Sequence, residues 1–239
     1  MPIHQPFGAQ LKSHGCRHCA LLPSRRQLLT AMAGGVTALW GVRSAVAQTV
    51  LSSDAALARL IEGNERFVQG RLTSLDEDLA ILKEHTVAKQ EPFAAVLACA
   101  DSRVPVELIF DQTIGHVFVT RVAGNVCTSE IIASLEYGAA VLGVPIIMVL
   151  GHDGCGAVKA TIDAKPVPGQ ISALYAPLRP AIERAGQDLT AAIKANAQIQ
   201  ADLLRTASPV VAALIKTGKM KVVAAYYDLA SGKVTILDQ

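Results

Sequence analysis

The chain has 239 residues, 51% of them hydrophobic and 4% aromatic, and its formal net charge is +2. Once the first fifty residues are set aside, that length suits one α/β domain with a well-filled core. The small net charge argues against a nucleic-acid-binding protein, and the scarcity of aromatic side chains argues against stacking on bases.

The N-terminal segment has the pattern of an export signal. Residues 24–29 read SRRQLL, a twin-arginine signature, and an apolar stretch over residues 28–42 follows. That stretch is shorter than the ~20 residues that span a bilayer, although a retained signal anchor stays as the alternative. Residues 45–47 read AVA, which is typical of a cleavage site. We expect residues 1–47 to direct export by the twin-arginine machinery and residues 48–239 to form a periplasmic domain.

Hydrophobic periodicity predicts the elements of this domain in chain order. An amphipathic helix is predicted over residues 54–70, with Asp54 as its N-cap. After it the pattern predicts strands at residues 93–98, 117–120 and 146–150, helices at 129–142 and 156–163, two or three helices within 171–217, and a hairpin of residues 221–227 and 233–237. Apolar strands that alternate with helices indicate βαβ units. We therefore expect an α/β fold with a central, mostly parallel β-sheet flanked by helices, an N-terminal helical arm and a C-terminal hairpin.

Chemistry-bearing side chains follow two of the predicted strands. Cys99 and Asp101 come directly after the first strand, and His152 and Cys155 come after the third. These side chains should converge, because functional sites in parallel sheets lie at the carboxyl ends of the strands. Two thiolates, an imidazole and a carboxylate make a four-coordinate zinc set. Arg103 supplies a cation that can draw the carboxylate off the metal and leave a position for water.

The other cysteines give no sign of a disulfide framework. Cys16 and Cys19 resemble a metal-binding loop, but they lie within the predicted signal and lack further fixed ligands. The domain after the signal keeps three cysteines, an odd number that does not suit closed pairs. We expect Cys127 to be a plain buried or half-buried thiol.

The segments that carry the predicted metal ligands resemble the β-class carbonic anhydrases. The resemblance rests on residues 98–126, ACADSRVPVELIFDQTIGHVFVTRVAGNV, and on residues 134–160, SLEYGAAVLGVPIIMVLGHDGCGAVKA. It covers about residues 55–165, and the C-terminal hairpin also fits. It implies an enzyme that binds one zinc ion per chain and reversibly hydrates CO2 to bicarbonate and a proton, by attack of zinc-bound hydroxide.

Roles for individual residues are implied by the same resemblance. The family's zinc ligands match Cys99, His152 and Cys155, and its Asp–Arg dyad matches Asp101 and Arg103. In that family the Asp either ligates zinc in a resting state or pairs with the Arg and leaves the metal to a water. Asp101 is therefore expected to act both as a metal ligand and, together with Arg103, as a catalytic residue.

Substrate-binding positions and an oligomer are also implied by the resemblance. Gln90 matches a pocket amide, and Gly156 matches a position whose backbone lies near the substrate. Phe118 and Tyr137 match wall positions that are partly supplied across a dimer interface. We expect a homodimer or a dimer of dimers, in which the helix at residues 54–70 packs on the partner subunit.

Two further positions bear on proton transfer and on regulation. His116 could shuttle protons, because an imidazole titrates near neutral pH, although a His at a turn is usually only solvated. In bicarbonate-inhibited members of the family a Trp lies three residues before the first zinc Cys, and this chain has Val96 there. We therefore do not expect that regulatory pocket, even though Arg121 is present.

Two other functions stay open on the sequence. The same zinc site could hydrolyse CS2 or COS, because access to the metal selects among linear triatomic molecules. The chain could also be a non-catalytic zinc protein in which Asp101 never leaves the metal. Arg103 argues against this second alternative, since a purely structural site needs no cation beside the carboxylate.

Overall fold

The computed structural model describes residues 51–74, 84 and 86–237. The predicted export signal, residues 1–47, lies outside the described residues, and so does part of the polar stretch that follows the first helix. Among the described residues, no helix has both the length and the apolarity needed to span a bilayer.

The described residues form helices and strands that alternate along most of the chain. The helices are α1 Ser53–Val68, α2 Val106–Ile109, α3 Ser129–Ala140, α4 Gly156–Asp163, α5 Tyr175–Ala185, α6 Leu189–Ala207 and α7 Pro209–Lys216, with a 3-10 turn at Ile171–Leu174 before α5. The strands are β1 Ala94–Ala98, β2 Val117–Arg121, β3 Ile146–His152, β4 Lys221–Tyr227 and β5 Val234–Ile236. The α/β fold predicted from the sequence is confirmed.

Five described strands form one sheet in the order β2-β1-β3-β4-β5. The first three neighbouring pairs are parallel, and β5 runs antiparallel to β4 as the second arm of the predicted hairpin. β1 lies between β2 and β3, with Ala98 opposite both Arg121 and Leu150. The carboxyl ends of β1 and β3 therefore meet side by side at one edge of the sheet.

Helices cover both faces of this sheet. Alternate residues of β1 point to opposite sides, as a strand's period of two requires. Val96 packs with α1 and α2 on one face, whereas Leu97 packs with α3, α6 and α7 on the other. Burial on both sides explains why the central strands are continuous apolar runs rather than alternating ones.

Most predicted boundaries are confirmed to within two residues, and the differences have local causes. Helix α1 begins one residue earlier than predicted, and its N-cap is Ser52, not Asp54, because the Ser52 hydroxyl accepts a hydrogen bond from the Ala55 N–H. β3 continues to His152, since its pairing with β4 runs on to Tyr227. The sequence pattern missed α2, which at four residues is too short for helical periodicity to show.

The apolar face of α1 is covered by the chain's own core. Ala56 and Leu60 are fully buried against residues of β1, β3 and α2. The apolar stripe therefore packs on one face of the chain's own sheet, with Leu57, Ile61 and Phe67 only partly buried, and the expected contact of this helix with a partner subunit stays a prediction.

Two neighbouring residues fix the position of α1. The buried amide of Asn64 donates to the carbonyl oxygens of Ile109 and Gly232, and its oxygen accepts from the Val234 N–H. A Cβ atom on Gly63 would lie 1.8 Å from the carbonyl oxygen of Phe110. Helix α1 can therefore approach the end of α2 only where it carries a glycine.

We expect Gly63→Ala to destabilise the protein by about 2 kcal/mol or more. Alanine should favour a helix by up to ~1 kcal/mol, but the clash here is with backbone, and overpacking of this kind costs about 1–3 kcal/mol or more. Urea denaturation followed by circular dichroism measures the change. Gly138→Ala in α3 is the matched control, because its Cβ would meet only the ring of Phe118, at 3.1 Å, and a ring can shift. Equal stability of the two variants would contradict this packing.

Candidate metal centre

Three metal-ligating side chains converge at the carboxyl edge of the sheet. Cys99 directly follows β1, His152 is the last residue of β3, and Cys155 is the N-cap of α4. Their ligand atoms all lie within 4.8 Å of one another, and all three residues are buried. The convergence predicted from the ends of two strands is confirmed for these residues, because β1 and β3 are neighbours in the sheet.

The spacing of the two sulfur atoms fits a tetrahedral metal. Two zinc–sulfur bonds of about 2.3 Å at the tetrahedral angle would place the sulfurs about 3.8 Å apart. The Sγ atoms of Cys99 and Cys155 are 3.9 Å apart. A pair of soft thiolates with an imidazole is also a donor set that zinc commonly takes.

The imidazole of His152 presents its Nε2 atom to the same metal position as the two sulfur atoms. Nδ1 lies 2.8 Å from the carbonyl oxygen of Asp153, so Nδ1 carries the proton and donates it to that carbonyl. Nε2 then carries the lone pair, it is fully buried, and no donor among the described residues reaches it. A backbone carbonyl that fixes the tautomer in this way is the usual support of a metal-binding His.

The two thiols share one negative charge. The Cys155 thiol donates a hydrogen bond to Cys99 and thereby holds the pKa of the Cys99 thiol well below its ordinary value. The same contact, together with burial, raises the pKa of Cys155. The pair therefore loses its first proton readily and its second only when a cation such as a metal ion stabilises the second thiolate.

Backbone N–H groups favour charge on both sulfurs. The Gly124 N–H donates to Sγ of Cys99 at 3.3 Å. At the start of α4, the N–H groups of Ala157 and Val158 act in the direction that lowers the pKa of Cys155, as expected at a helix N-terminus. Anionic sulfur is thus supported by peptide dipoles.

Asp101 is held beside the cluster by Arg103. The Arg103 guanidinium donates from Nε and Nη2 to the two carboxylate oxygens at 3.0 and 2.8 Å, and its backbone N–H donates to Oδ1 at 2.9 Å. These hydrogen bonds hold the pKa of Asp101 well below its usual range. Oδ2 of Asp101 lies 3.9 Å from Nε2 of His152. The carboxylate is therefore paired with the cation while it remains next to the converging ligand atoms.

Arg121 holds the loop that carries Cys99 and Asp101. Its Nε donates to the carbonyl oxygen of Cys99 at 2.9 Å, and its Nη2 donates to the carbonyl oxygen of Asp101. Sequence reasoning considered Arg121 only for a regulatory pocket and missed this clamp. The pairing of Ala98 with Arg121 across the two strands, which puts the side chain within reach, appears only in the folded sheet.

A buried polar chain supports the Gly124 loop from α6. The Asn196 amide donates to the Gly124 carbonyl at 2.8 Å, and its oxygen accepts from Gln200 at 3.2 Å. The Gln200 oxygen in turn accepts the N–H of Cys127 at 2.8 Å. In the sequence, Asn196 and Gln200 are ordinary polar residues of a helix. Only their burial reveals that they support the loop whose N–H faces Cys99.

Of the predicted substrate-pocket residues, one lies beside the cluster in this chain. Gly156 opens α4 directly after Cys155, with open space where a Cβ would be. Phe118 and Tyr137 lie together at the outer edge of the sheet, with ring centroids 6.2 Å apart. Gln90 is exposed and precedes β1, whereas the metal ligands follow that strand. Within one chain, these last three residues do not join the cluster.

His116 lies at the opposite edge of the sheet from the metal ligands. Its carbonyl oxygen accepts the Phe93 N–H just before β1, whereas Cys99 comes after that strand. At ~3.3 Å per residue the two positions are separated by about 20 Å along the strand. Within one chain, His116 is therefore too far from this cluster for direct proton transfer.

Comparisons with known proteins agree with this arrangement. A family model described as carbonic anhydrase matches residues 94–234. A carbonic anhydrase from Mycolicibacterium smegmatis is 35% identical over 193 residues, which cover 76% of this chain and 92% of that protein. Carbonic anhydrase 2 from Mycobacterium tuberculosis is 49% identical over 114 residues, 46% of this chain. That match spans about half of the relative, 53% of its length.

A solved structure shares the same architecture. The Coccomyxa β-carbonic anhydrase, determined in complex with acetazolamide, superposes with a TM-score of 0.59 at 27% sequence identity. The match covers 77% of this chain and 86% of the Coccomyxa chain.

We expect Cys99→Ala and Cys155→Ala to lower the zinc content from about one per chain to near zero and to lower the stability as well, because binding a metal at such a site is coupled to folding. Zinc measured by mass spectrometry after dialysis, together with thermal unfolding, reports both. Cys127→Ala is the matched control, since burial raises the pKa of that thiol to about 12 and it lies outside the cluster. Full zinc retention in either cluster variant would contradict the ligand assignment.

We expect Arg121→Gln to weaken zinc binding about tenfold, which is the lower end of the effect of removing a group that orients metal ligands. Competition with a chromophoric chelator measures the affinity, and circular dichroism checks that the fold is retained. Arg184→Gln, an exposed change on α5, is the control for loss of one positive charge. An unchanged affinity in Arg121→Gln would show that the loop holds its shape without the clamp.

Proposed function

Since this chain belongs to the β-class carbonic anhydrase family, we propose that it catalyses the reversible hydration of CO2 to bicarbonate and a proton at a zinc site of Cys99, His152 and Cys155. The observation that carries the proposal is the convergence of these three buried ligands next to the Asp101–Arg103 pair. A structural zinc site has no use for a carboxylate held just outside its ligand set.

Zinc fits this donor set and would activate a water molecule there. When bound, it acts as a Lewis acid and lowers the pKa of water from 15.7 toward ~7, which provides a nucleophile near neutral pH. Two thiolates donate more charge than imidazoles do, so we expect a water pKa somewhat above that value.

Asp101 orients the nucleophile. As an ionised carboxylate it can only accept hydrogen bonds, so the O–H group of the nucleophile donates to it and a lone pair is left for the carbon of CO2. Arg103 occupies both carboxylate oxygens and keeps them from turning to the metal. The Asp–Arg pair thus selects between an open state and a closed, Asp-ligated state.

Arg103 also links the two loops of the site. Its Nη2 lies 3.5 Å from the carbonyl oxygen of Gly154, in the loop between His152 and Cys155. The Arg103 side chain is 56% exposed, so part of its guanidinium group is open to solvent. A guanidinium in this position can bind the carboxylate group of bicarbonate as it forms.

A second copy of the chain would complete the substrate pocket. Gln90, Phe118 and Tyr137 lie away from the cluster within one chain, so they can line a pocket only across an interface. Exposed apolar side chains next to the outermost strand, β2, support that proposal. Tyr137 and Val141 are 47% and 45% exposed there. We therefore propose a homodimer or a dimer of dimers.

Export to the periplasm is proposed on the sequence alone. Residues 24–29 and the small residues before Gln48 support a cleaved twin-arginine signal. That route carries folded proteins, so zinc could be loaded while the thiols of Cys99 and Cys155 are still reduced. The two alternatives, hydrolysis of CS2 or COS and a non-catalytic zinc protein, gain no support from the site.

A stopped-flow CO2-hydration assay on the zinc-loaded protein tests the proposal. We expect activity that rises from pH 6 toward pH 8 and above, because zinc held by Cys99, His152 and Cys155 would supply more hydroxide as the pH rises through this range. Cys127→Ala should keep this activity, and Cys155→Ala should lose it together with the metal. Zinc-loaded protein without CO2 hydration at pH 8 would refute the proposal, and assays on COS and CS2 would then separate the alternatives.

We expect Arg103→Ala to keep its zinc and to lose activity about 100-fold, as when one preorganised electrostatic group is removed. Without the guanidinium the pKa of Asp101 returns toward its ordinary value near 3.9, which is still below the assay range. The carboxylate therefore stays ionised from pH 6 to 9, turns to the metal, and the loss should be similar at every pH. Arg103→Lys keeps the positive charge without the planar fork, so its activity should lie between that of the wild type and that of Arg103→Ala. Near-normal turnover of Arg103→Ala at pH 7 would refute the Asp–Arg switch.

A further inference from the structure

A polar cavity lies near the amino-terminal ends of β1 and β2, whereas the metal ligands follow the carboxyl ends of β1 and β3. Its volume is about 160 Å³, and its lining includes Arg59 and Arg66 of α1, Thr113 and His116 before β2, and Asp111. The cavity is too small for a drug-sized ligand, since such pockets measure about 300–1,000 Å³. It has room for a small ion.

Arg59 brings a half-buried positive charge into this cavity. Its guanidinium lies over the ring of Phe93, 4.1 Å from the centroid, and one of its Nη atoms is 3.4 Å from Nδ1 of His116. Burial and the charge of Arg66 both lower the pKa of Arg59. Among the described residues no carboxylate lies within ion-pair distance of it, and that includes Glu62 on the next turn of α1.

Asp111, the carboxylate that lines the cavity, already accepts several hydrogen bonds. Asp111 accepts hydrogen bonds from Arg66, from the Thr73 N–H and hydroxyl, and from the Ser74 N–H. Among the described residues, two guanidinium groups therefore face one carboxylate, and the positive charge of Arg59 has no described counter-charge. A partly desolvated charge of this kind is costly unless a counter-charge is present.

We propose that this cavity binds a small oxyanion, of the size and charge of bicarbonate or phosphate. The planar fork of Arg59 can donate two parallel hydrogen bonds to such an anion, and the Thr113 hydroxyl, 2.7 Å from His116, lies beside it. Within one chain the site is distinct from the metal centre, from which it is separated by the length of β1. It does not depend on the proposed function.

The test compares oxyanions with chloride on the zinc-loaded protein. Thermal unfolding is followed at pH 8 in potassium chloride, potassium bicarbonate and potassium phosphate at equal ionic strength. Binding at about 100 times the dissociation constant should raise the midpoint by roughly 5 °C or more. Any anion that binds at the metal centre affects the wild type and the Arg59 variants alike, so their difference isolates the cavity.

Three variants sharpen the comparison. In chloride, Arg59→Gln loses the contact with Phe93 but is relieved of repulsion from Arg66, so its midpoint should change little, and it should gain nothing specific from either oxyanion. Arg59→Lys keeps the charge without the fork and should show a reduced gain. Arg179→Gln on α5 removes an exposed charge elsewhere and should behave as the wild type does.

The outcomes separate the sources of the anion and decide the proposal. A larger gain in bicarbonate than in phosphate would identify the product of the proposed reaction as the ligand, and equal gains would identify a general oxyanion site. Equal gains in the wild type and Arg59→Gln would overturn the proposal. So would sedimentation showing that Arg59→Gln impairs self-association equally in all three salts, because a second copy would then fill the cavity.

Discussion

The centre of this structure depends on two cysteine sulfurs held 3.9 Å apart inside a low-dielectric interior. At that distance two thiolates repel each other strongly, so the protein alone supports only one negative charge on the pair. The surrounding groups either stabilise that negative charge or allow a cation to bind and stabilise a second one. The N–H groups of Gly124 and of the first turn of α4 point toward the sulfurs, and His152 presents a lone pair. A divalent cation would supply the counter-charge that a second thiolate needs.

The parallel pairing of β1 with β3 is what makes the close approach possible. Adjacent strands lie about 4.8 Å apart, so side chains at their carboxyl ends meet without any long loop. Side-chain hydrogen bonds then hold the two loops in place. Arg121 clamps the first through two carbonyl oxygens, and Arg103 bridges from the first loop to Gly154 in the second. Asn196 holds Gly124 from behind. The three candidate metal ligands thus lie on loops that hydrogen bonds hold in place, and the carboxylate of Asp101 lies beside them, paired with Arg103.

Sequence patterns predicted those parts of the molecule that local chemistry determines. Apolar runs located the strands, and the position of Cys99 and His152 at strand ends predicted that they converge. The N-cap of α1 was misjudged because Ser52 and Asp54 are both good caps and only the backbone conformation decides between them. The roles of Arg121 and Asn196 could not be predicted, since they depend on which strands and helices are neighbours. Gln90 and Tyr137 belong to a surface, and one chain does not reveal what covers it.

The buried amide of Asn64 has a consequence for the order of folding. It joins α1 to Gly232 and Val234, across 168 and 170 residues of chain. Contacts of such separation form late, because a large loop must close before they stabilise anything. The first described helix therefore cannot dock fully until the last hairpin has been synthesised. Strands β1 to β3, which carry the metal ligands, can pair earlier, and the docking of α1 against the hairpin completes the domain as a closing step.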